Sequence, residues 1–209
     1  MTAPTASDAS HPSHPSGATS TGPTRTTGFL DSSPLLGDPA ALRARADRHG
    51  YLYLPGLLPR DEVLDVRRRF LQVLAAHGWL APDRPLDDGI ADVAAFERED
   101  PAETAFCGVG VTAAAYGDIQ RVREFQELAH HPRLQSLYET LLQAPVMPHP
   151  RTIARLMVPH GDSRPTPPHQ DFIHIQGTPN VWTAWIPLGD CPRSLGGLTV
   201  LDGSHHDGV

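Results

Sequence analysis

Apolar residues recur every three to four positions through the first two thirds of this chain, and in the last third they gather in short runs divided by Pro, Gly and Asp. From Pro59 onward, Val63, Val66, Phe70, Val73 and Leu74 keep the spacing that lays one apolar stripe along a helix, and Gly78 closes the run. Asp61 and Glu62 stand in its first turn, where the helix dipole favours negative charge. A shorter helix is expected ahead of it, with Asp38 as cap, Pro39 in the first helical position and helix-forming residues up to His49-Gly50. Between the two, Tyr51-Leu52-Tyr53-Leu54 reads as a short strand ended by Pro55-Gly56. Val122, Phe125, Leu128 and Ala129 predict another helix, and Pro132 begins one more through Leu134, Leu137, Leu141 and Leu142. From Pro82 to Gly117 the signals are mixed, so an irregular excursion is expected there, with a short helix over 90–99.

After Pro145 the pattern becomes β-like. Thr152 to Val158 is a candidate strand, 160–168 a proline-rich loop, and further strands are expected around Phe172–Ile175, Val181–Leu188 and Leu198–Leu201. Helices first and strands later describe an α+β domain, here 38–209. Residues 1–37, rich in Ser, Thr, Pro, Ala and Gly, carry only Asp8, Arg25 and Asp31 as charges and have too little apolar surface to offset the entropy of ordering. They are expected to form a flexible tail, His11 and His14 included.

Composition narrows the partners. With 209 residues, 39% hydrophobic and 20% charged, the chain has the make-up of one globular domain. A formal net charge of −7 argues against a nucleic-acid partner, and no apolar run is long enough to span a bilayer. Cys107 and Cys191 are the only cysteines, which points to a reducing cytoplasm rather than a disulfide framework. Cys107 is read as an inert small hydrophobe, and the pair His130 and His131 as a solvated helix junction.

The chemistry concentrates in His169-Gln170-Asp171. On a strand, residues two apart point the same way, so an imidazole and a carboxylate can meet at one point. Joined by a second histidine, they make the facial triad that holds non-haem Fe(II) with coordination positions left open. His174, five residues on, falls on the other face of a regular strand, as an ordinary strand histidine or as a group facing substrate. Downstream follow Val181-Trp182-Thr183-Ala184-Trp185, then Gly196-Gly197-Leu198, then Gly203-Ser204-His205-His206. This succession, most specific over 150–209, resembles the phytanoyl-CoA dioxygenase family of Fe(II)/2-oxoglutarate oxygenases. The helix, the GYLYLPG stretch and the second helix are similar to the family's amino-terminal entry.

The resemblance implies a double-stranded β-helix, a cupin-like jelly roll, with the amino-terminal helices packed outside. It implies His169 and Asp171 as iron ligands, Gln170 pointing away from the metal, and Trp182 lining the 2-oxoglutarate pocket, with Thr183 and Arg155 as further candidates. Trp182 and Trp185 read equally well as packed core aromatics. The expected cofactors are Fe(II) and 2-oxoglutarate as co-substrate, and the expected partners are O2 and a small organic molecule that is hydroxylated as succinate and CO2 leave. In the family the distal histidine ligand and the arginine that pairs with 2-oxoglutarate lie well past the GSH turn. This chain is therefore expected to lack its last strands and part of the site. The competing readings are a jelly-roll binding or structural domain without redox chemistry, and a Zn(II) hydrolase. No Glu near His169 is placed as a general base for the latter.

Overall fold

The architecture was taken from a computed structural model, which describes residues 27–104, 110–158, 166–178 and 180–208. Asp38 opens α1 (Pro39–His49), its carboxylate accepting from the amides of Ala40 at 3.1 Å and Ala41 at 3.0 Å. These are two of the amide groups that a helix start leaves without partners. At the other end Gly50, with φ of 71°, donates to the Ala46 carbonyl and turns the chain out of the helix. Next come α2 (Arg60–Ala76), α3 (Val93–Arg98), α4 (Pro101–Thr104), α5 (Ala113–Gln120), α6 (Arg123–Leu128), α7 (Pro132–Leu142) and a one-turn α8 (Phe172–Ile175).

The core is built on α2. Its apolar stripe buries Val66, Phe70, Leu71 and Leu74 against Ala115 and Ile119 of α5 and Leu128 of α6, with Trp79, Val111 and Ala154 closing the cluster. A fully buried side chain of this size contributes about 1.5–3 kcal/mol. Phe70 meets Phe125 edge to face, with ring centroids 5.0 Å apart, a favoured aromatic geometry. A second layer pairs α1 with α7 through Leu42, Ala46, Leu134 and Leu137. His131 caps α7 by accepting from the Arg133 amide, and its Nε2 lies 3.3 Å from Glu62 Oε2 of α2. The expectation of a solvated histidine at this junction is therefore corrected for His131, which is largely enclosed.

Helix α5 falls mostly within the stretch expected to be irregular and partly helical, although Gly117 in its middle disfavours a helix. The burial of Ala115 and Ile119 outweighs that local cost. Order also begins earlier than Asp38. Ser32 is fully buried and its amide donates to Tyr53 O at 2.8 Å, beside an isolated parallel bridge between Asp31 and Tyr53. Phe29 packs on Tyr51 and Tyr53. The rest of the expected tail, 1–26 with His11 and His14, lies outside the described residues, as does Cys107.

The later half is extended and irregular. Among the described residues the only β pairings are two isolated bridges, Asp31 with Tyr53 and Leu80 with Ala91. The segment at 152–156 docks on the helices, with Gln120 Nε2 donating to Thr152 O at 3.1 Å and Gly110 approaching Leu156 O so closely that a Cβ would overlap it. Phe172–Ile175, expected as a strand, is a helical turn. Its amide and carbonyl groups have no ladder partner among the described residues. The amides of His174 and Ile175 instead bond locally to Asp171 O, both at 2.9 Å.

Candidate functional site

The sequence places His169 directly after Pro167-Pro168, so the imidazole is carried on a stiff extended approach. Its Nδ1 lies 2.8 Å from Pro167 O. A carbonyl can only accept, so Nδ1 carries the hydrogen and Nε2 presents a lone pair when the ring is neutral. That lone pair faces Asp171 Oδ1 at 3.2 Å. Two acceptors brought face to face repel each other unless a proton or a cation stands between them. Ligands on adjacent coordination positions at about 2.1 Å from a metal are about 3 Å apart, so the pair fits a shared divalent ion.

Local structure keeps both groups free for that role. Asp171 precedes α8, yet its side chain makes no capping bond and its carboxylate is left for the histidine. The backbone at Asp171 is helical, and two residues of turn bring the side chains together much as a strand would have done. Gln170 is turned to other work, its Nε2 donating to Gly208 O at 2.7 Å. The His174 ring stands edge-on to His169, with centroids 5.5 Å apart. Thus the two expected metal ligands lie together, and His174 lies beside them. Among the described residues no cluster of three or more His, Cys, Asp or Glu side chains converges on one point.

The other expected site residues are dispersed. Trp182 lines a cleft of about 250 Å³ with Arg43, Ala46 and Asp47 of α1, Leu141 of α7, and His205. His169, Asp171, Thr183 and Arg155 are not in that lining. Arg155 is exposed and its guanidinium donates to the Thr166 hydroxyl, while Thr183 is also exposed.

His205 and His206 sit in a 3-10 turn, Ser204–Asp207, and His205 is engaged with α1. Its Nε2 donates to Asp47 O at 2.7 Å, and its ring lies over Gly50, where a Cβ would overlap it. Gly203 N donates to His49 O at 3.1 Å, and His49 Nδ1 is 2.8 Å from Asp202 Oδ1. This clasp between the end of α1 and the 202–205 turn was not read from the sequence. Its signals were present in the glycine of His49-Gly50-Tyr51 and in the Asp-Gly-Ser-His run.

With this geometry in view, comparison with known proteins decides the family. The phytanoyl-CoA dioxygenase family model matches residues 46–209, which takes in the α1 terminus, the cluster built on α2, the His169–Asp171 pair and the clasp. The chain belongs to the phytanoyl-CoA dioxygenase family. Within that family it is similar to two curated proteins named 1-deoxypentalenic acid 11-beta-hydroxylase, from Streptomyces arenae and Streptomyces exfoliatus. Each is 33% identical over 184 residues. The match covers 86% of this chain and 59% of each relative, so the chain spans less than two thirds of their length. No solved structure matches this member of the phytanoyl-CoA dioxygenase family. No helix among the described residues is long and apolar enough to cross a membrane.

Proposed function

We propose that this chain belongs to a non-haem Fe(II)/2-oxoglutarate-dependent hydroxylase in which His169 and Asp171 are iron ligands. The observation that carries the reading is the 3.2 Å approach of His169 Nε2 to Asp171 Oδ1, with Nδ1 tied to Pro167 O, inside the segment matched to the family. When bound, iron and 2-oxoglutarate would supply the oxidising power to turn a substrate C–H and O2 into C–OH, with succinate and CO2 released. The chain's own part is to orient. Pro167 O fixes the tautomer of His169 so that Nε2 is the ligating atom, a backbone support of the kind that sharpens metal affinity. Asp171 would contribute an anionic oxygen to the same ion, and Gln170 is held away by Gly208.

A jelly-roll scaffold for the later half is part of the same proposal. Its support is the alternation at 153–157, where Ile153, Arg155 and Met157 are exposed while Ala154 is buried and Leu156 half-buried, the period of a strand with one covered face. Trp182, Thr183 and Arg155 are proposed to contribute to the 2-oxoglutarate pocket. The relatives' names make 1-deoxypentalenic acid the first substrate to assay.

The test is anaerobic titration with Fe(II) and 2-oxoglutarate, followed by succinate formation on admitting O2. A visible charge-transfer band is expected in the wild type and is expected to vanish in His169→Ala and Asp171→Ala. An unchanged band in both variants would sink the assignment.

A further inference from the structure

We propose that Gln170 is a positioning residue for the His169–Asp171 pair, anchored by the clasp that runs from the end of α1 through the 202–208 turn. The proposal rests on the metal reading above and deepens it. Gln170 lies between the two ligands in sequence, so wherever its carboxamide is fixed, the backbone that carries both ligands is fixed too. Its Nε2 donates to Gly208 O at 2.7 Å.

Gly208 follows a turn that is itself tied down at three points. Asp202 reaches His49 Nδ1 at 2.8 Å, Gly203 N reaches His49 O at 3.1 Å, and His205 Nε2 reaches Asp47 O at 2.7 Å. Gly50 lets the His205 ring lie against the helix end, since any Cβ there would overlap it. A continuous set of hydrogen bonds and short backbone links therefore joins α1, which is packed on α7, to the residue between the ligands. His174 and Ile175 amides bond to Asp171 O, both at 2.9 Å, so the same anchor steadies the turn on the far side of the pair. Neither Gln170 nor His205 needs to touch a metal for this to work. Outer groups that orient ligands typically set metal affinity by about 10- to 100-fold.

The experiment titrates the protein with Co(II) alone, whose d–d absorption reports ligand number and geometry. Gln170→Ala and Gln170→Glu are expected to weaken Co(II) binding about 10- to 100-fold and to change the band shape, with thermal stability near wild type. His205→Ala is expected to weaken binding in the same direction, and His205→Gln, whose amide nitrogen can donate to Asp47 O, to restore it. Without any metal, amide hydrogen exchange at His174 and Ile175 is expected to quicken in Gln170→Ala. Wild-type affinity in both Gln170 variants together with unchanged exchange would overturn the proposal. In that case, loss of Co(II) confined to His169→Ala and Asp171→Ala would leave the metal reading standing. A wild-type chain that takes no Co(II) would overturn both.

Discussion

Gly50 and His205, 155 positions apart in the chain, are packed so closely that a Cβ on the glycine would lie 3.0 Å from His205 Cγ and overlap the ring. Gly50 also holds φ of 71°, a left-handed conformation that costs a non-glycine residue about 1–2 kcal/mol. Gly78, after α2, has φ of 74°, but a Cβ there would meet nothing within 4 Å. Gly78→Ala is therefore expected to cost about 1 kcal/mol, from the backbone conformation alone. Gly50→Ala is expected to cost about 1–3 kcal/mol more, because the His205 ring must move. Denaturant unfolding of both variants checks the difference, and equal losses would mean that the clasp yields freely.

Ile119 is fully buried in the cluster between α2 and α5. Ile119→Val is expected to cost about 0.5–1.5 kcal/mol and Ile119→Ala about 2–5 kcal/mol, the range for large-to-small changes in a packed core. Chemical denaturation measures both. A loss under about 1 kcal/mol for the alanine variant would place Ile119 outside the cooperative core.

Asp118 of α5 receives His77 Nε2 at 2.9 Å and Arg121 Nη1 at 2.7 Å. The hydrogen bond from His77, followed by that from Arg121 and the charges of both, holds the Asp118 carboxyl below its ordinary value of 3.8. A carboxyl depressed in the folded state stabilises it above the unfolded value, and that contribution is lost as pH falls through the lower, folded value. Asp118→Asn is thus expected to be less stable than wild type at neutral pH, with the gap closing as pH drops below about 3.8. Unfolding curves from neutral to strongly acidic pH check this; a gap that widens on acidification would contradict it.

What could be read from the sequence was what depends on neighbours in the chain. The Asp38-Pro39 start, the Gly50 stop, the α2 stripe and the α7 start at Pro132 are local chemistry, and the helices lie where those signals put them. His169 and Asp171 meet because two residues of spacing suffice on a turn as on a strand. What was missed or left open depends on distant partners. Helix α5 forms around Gly117 because Ile119 and Ala115 find α2, and Phe172–Ile175 bends into a helical turn where no ladder partner is present among the described residues. The docking of His205 on α1 joins positions 158 apart, which no periodicity encodes.

Trp182 offers the sharpest division between two roles. The family resemblance assigns it to the 2-oxoglutarate pocket, whereas its place on the wall of the cleft shared with Leu141, Ala46 and His205 offers it a packing role beside the α1–α7 pair. An aromatic side chain in such a cleft excludes water from apolar surface, and its removal loses that burial whatever the cofactor does. Because Trp182 is only half-buried, Trp182→Ala is expected to cost about 1–3 kcal/mol, less than the about 3–5 kcal/mol of a fully buried tryptophan. Trp182→Phe is expected to recover most of that loss. The Fe(II)/2-oxoglutarate charge-transfer band supplies the second axis, measured at saturating Fe(II) and varied 2-oxoglutarate. Packing alone predicts a fall in stability with 2-oxoglutarate affinity unchanged in the folded fraction. A pocket role predicts weaker 2-oxoglutarate binding in Trp182→Phe even where stability is restored, since a phenyl ring fills the cleft but lacks the indole N–H. The pocket role proposed for Trp182 requires the second outcome, and a Trp182→Phe protein that is stable and binds 2-oxoglutarate as tightly as wild type would overturn it.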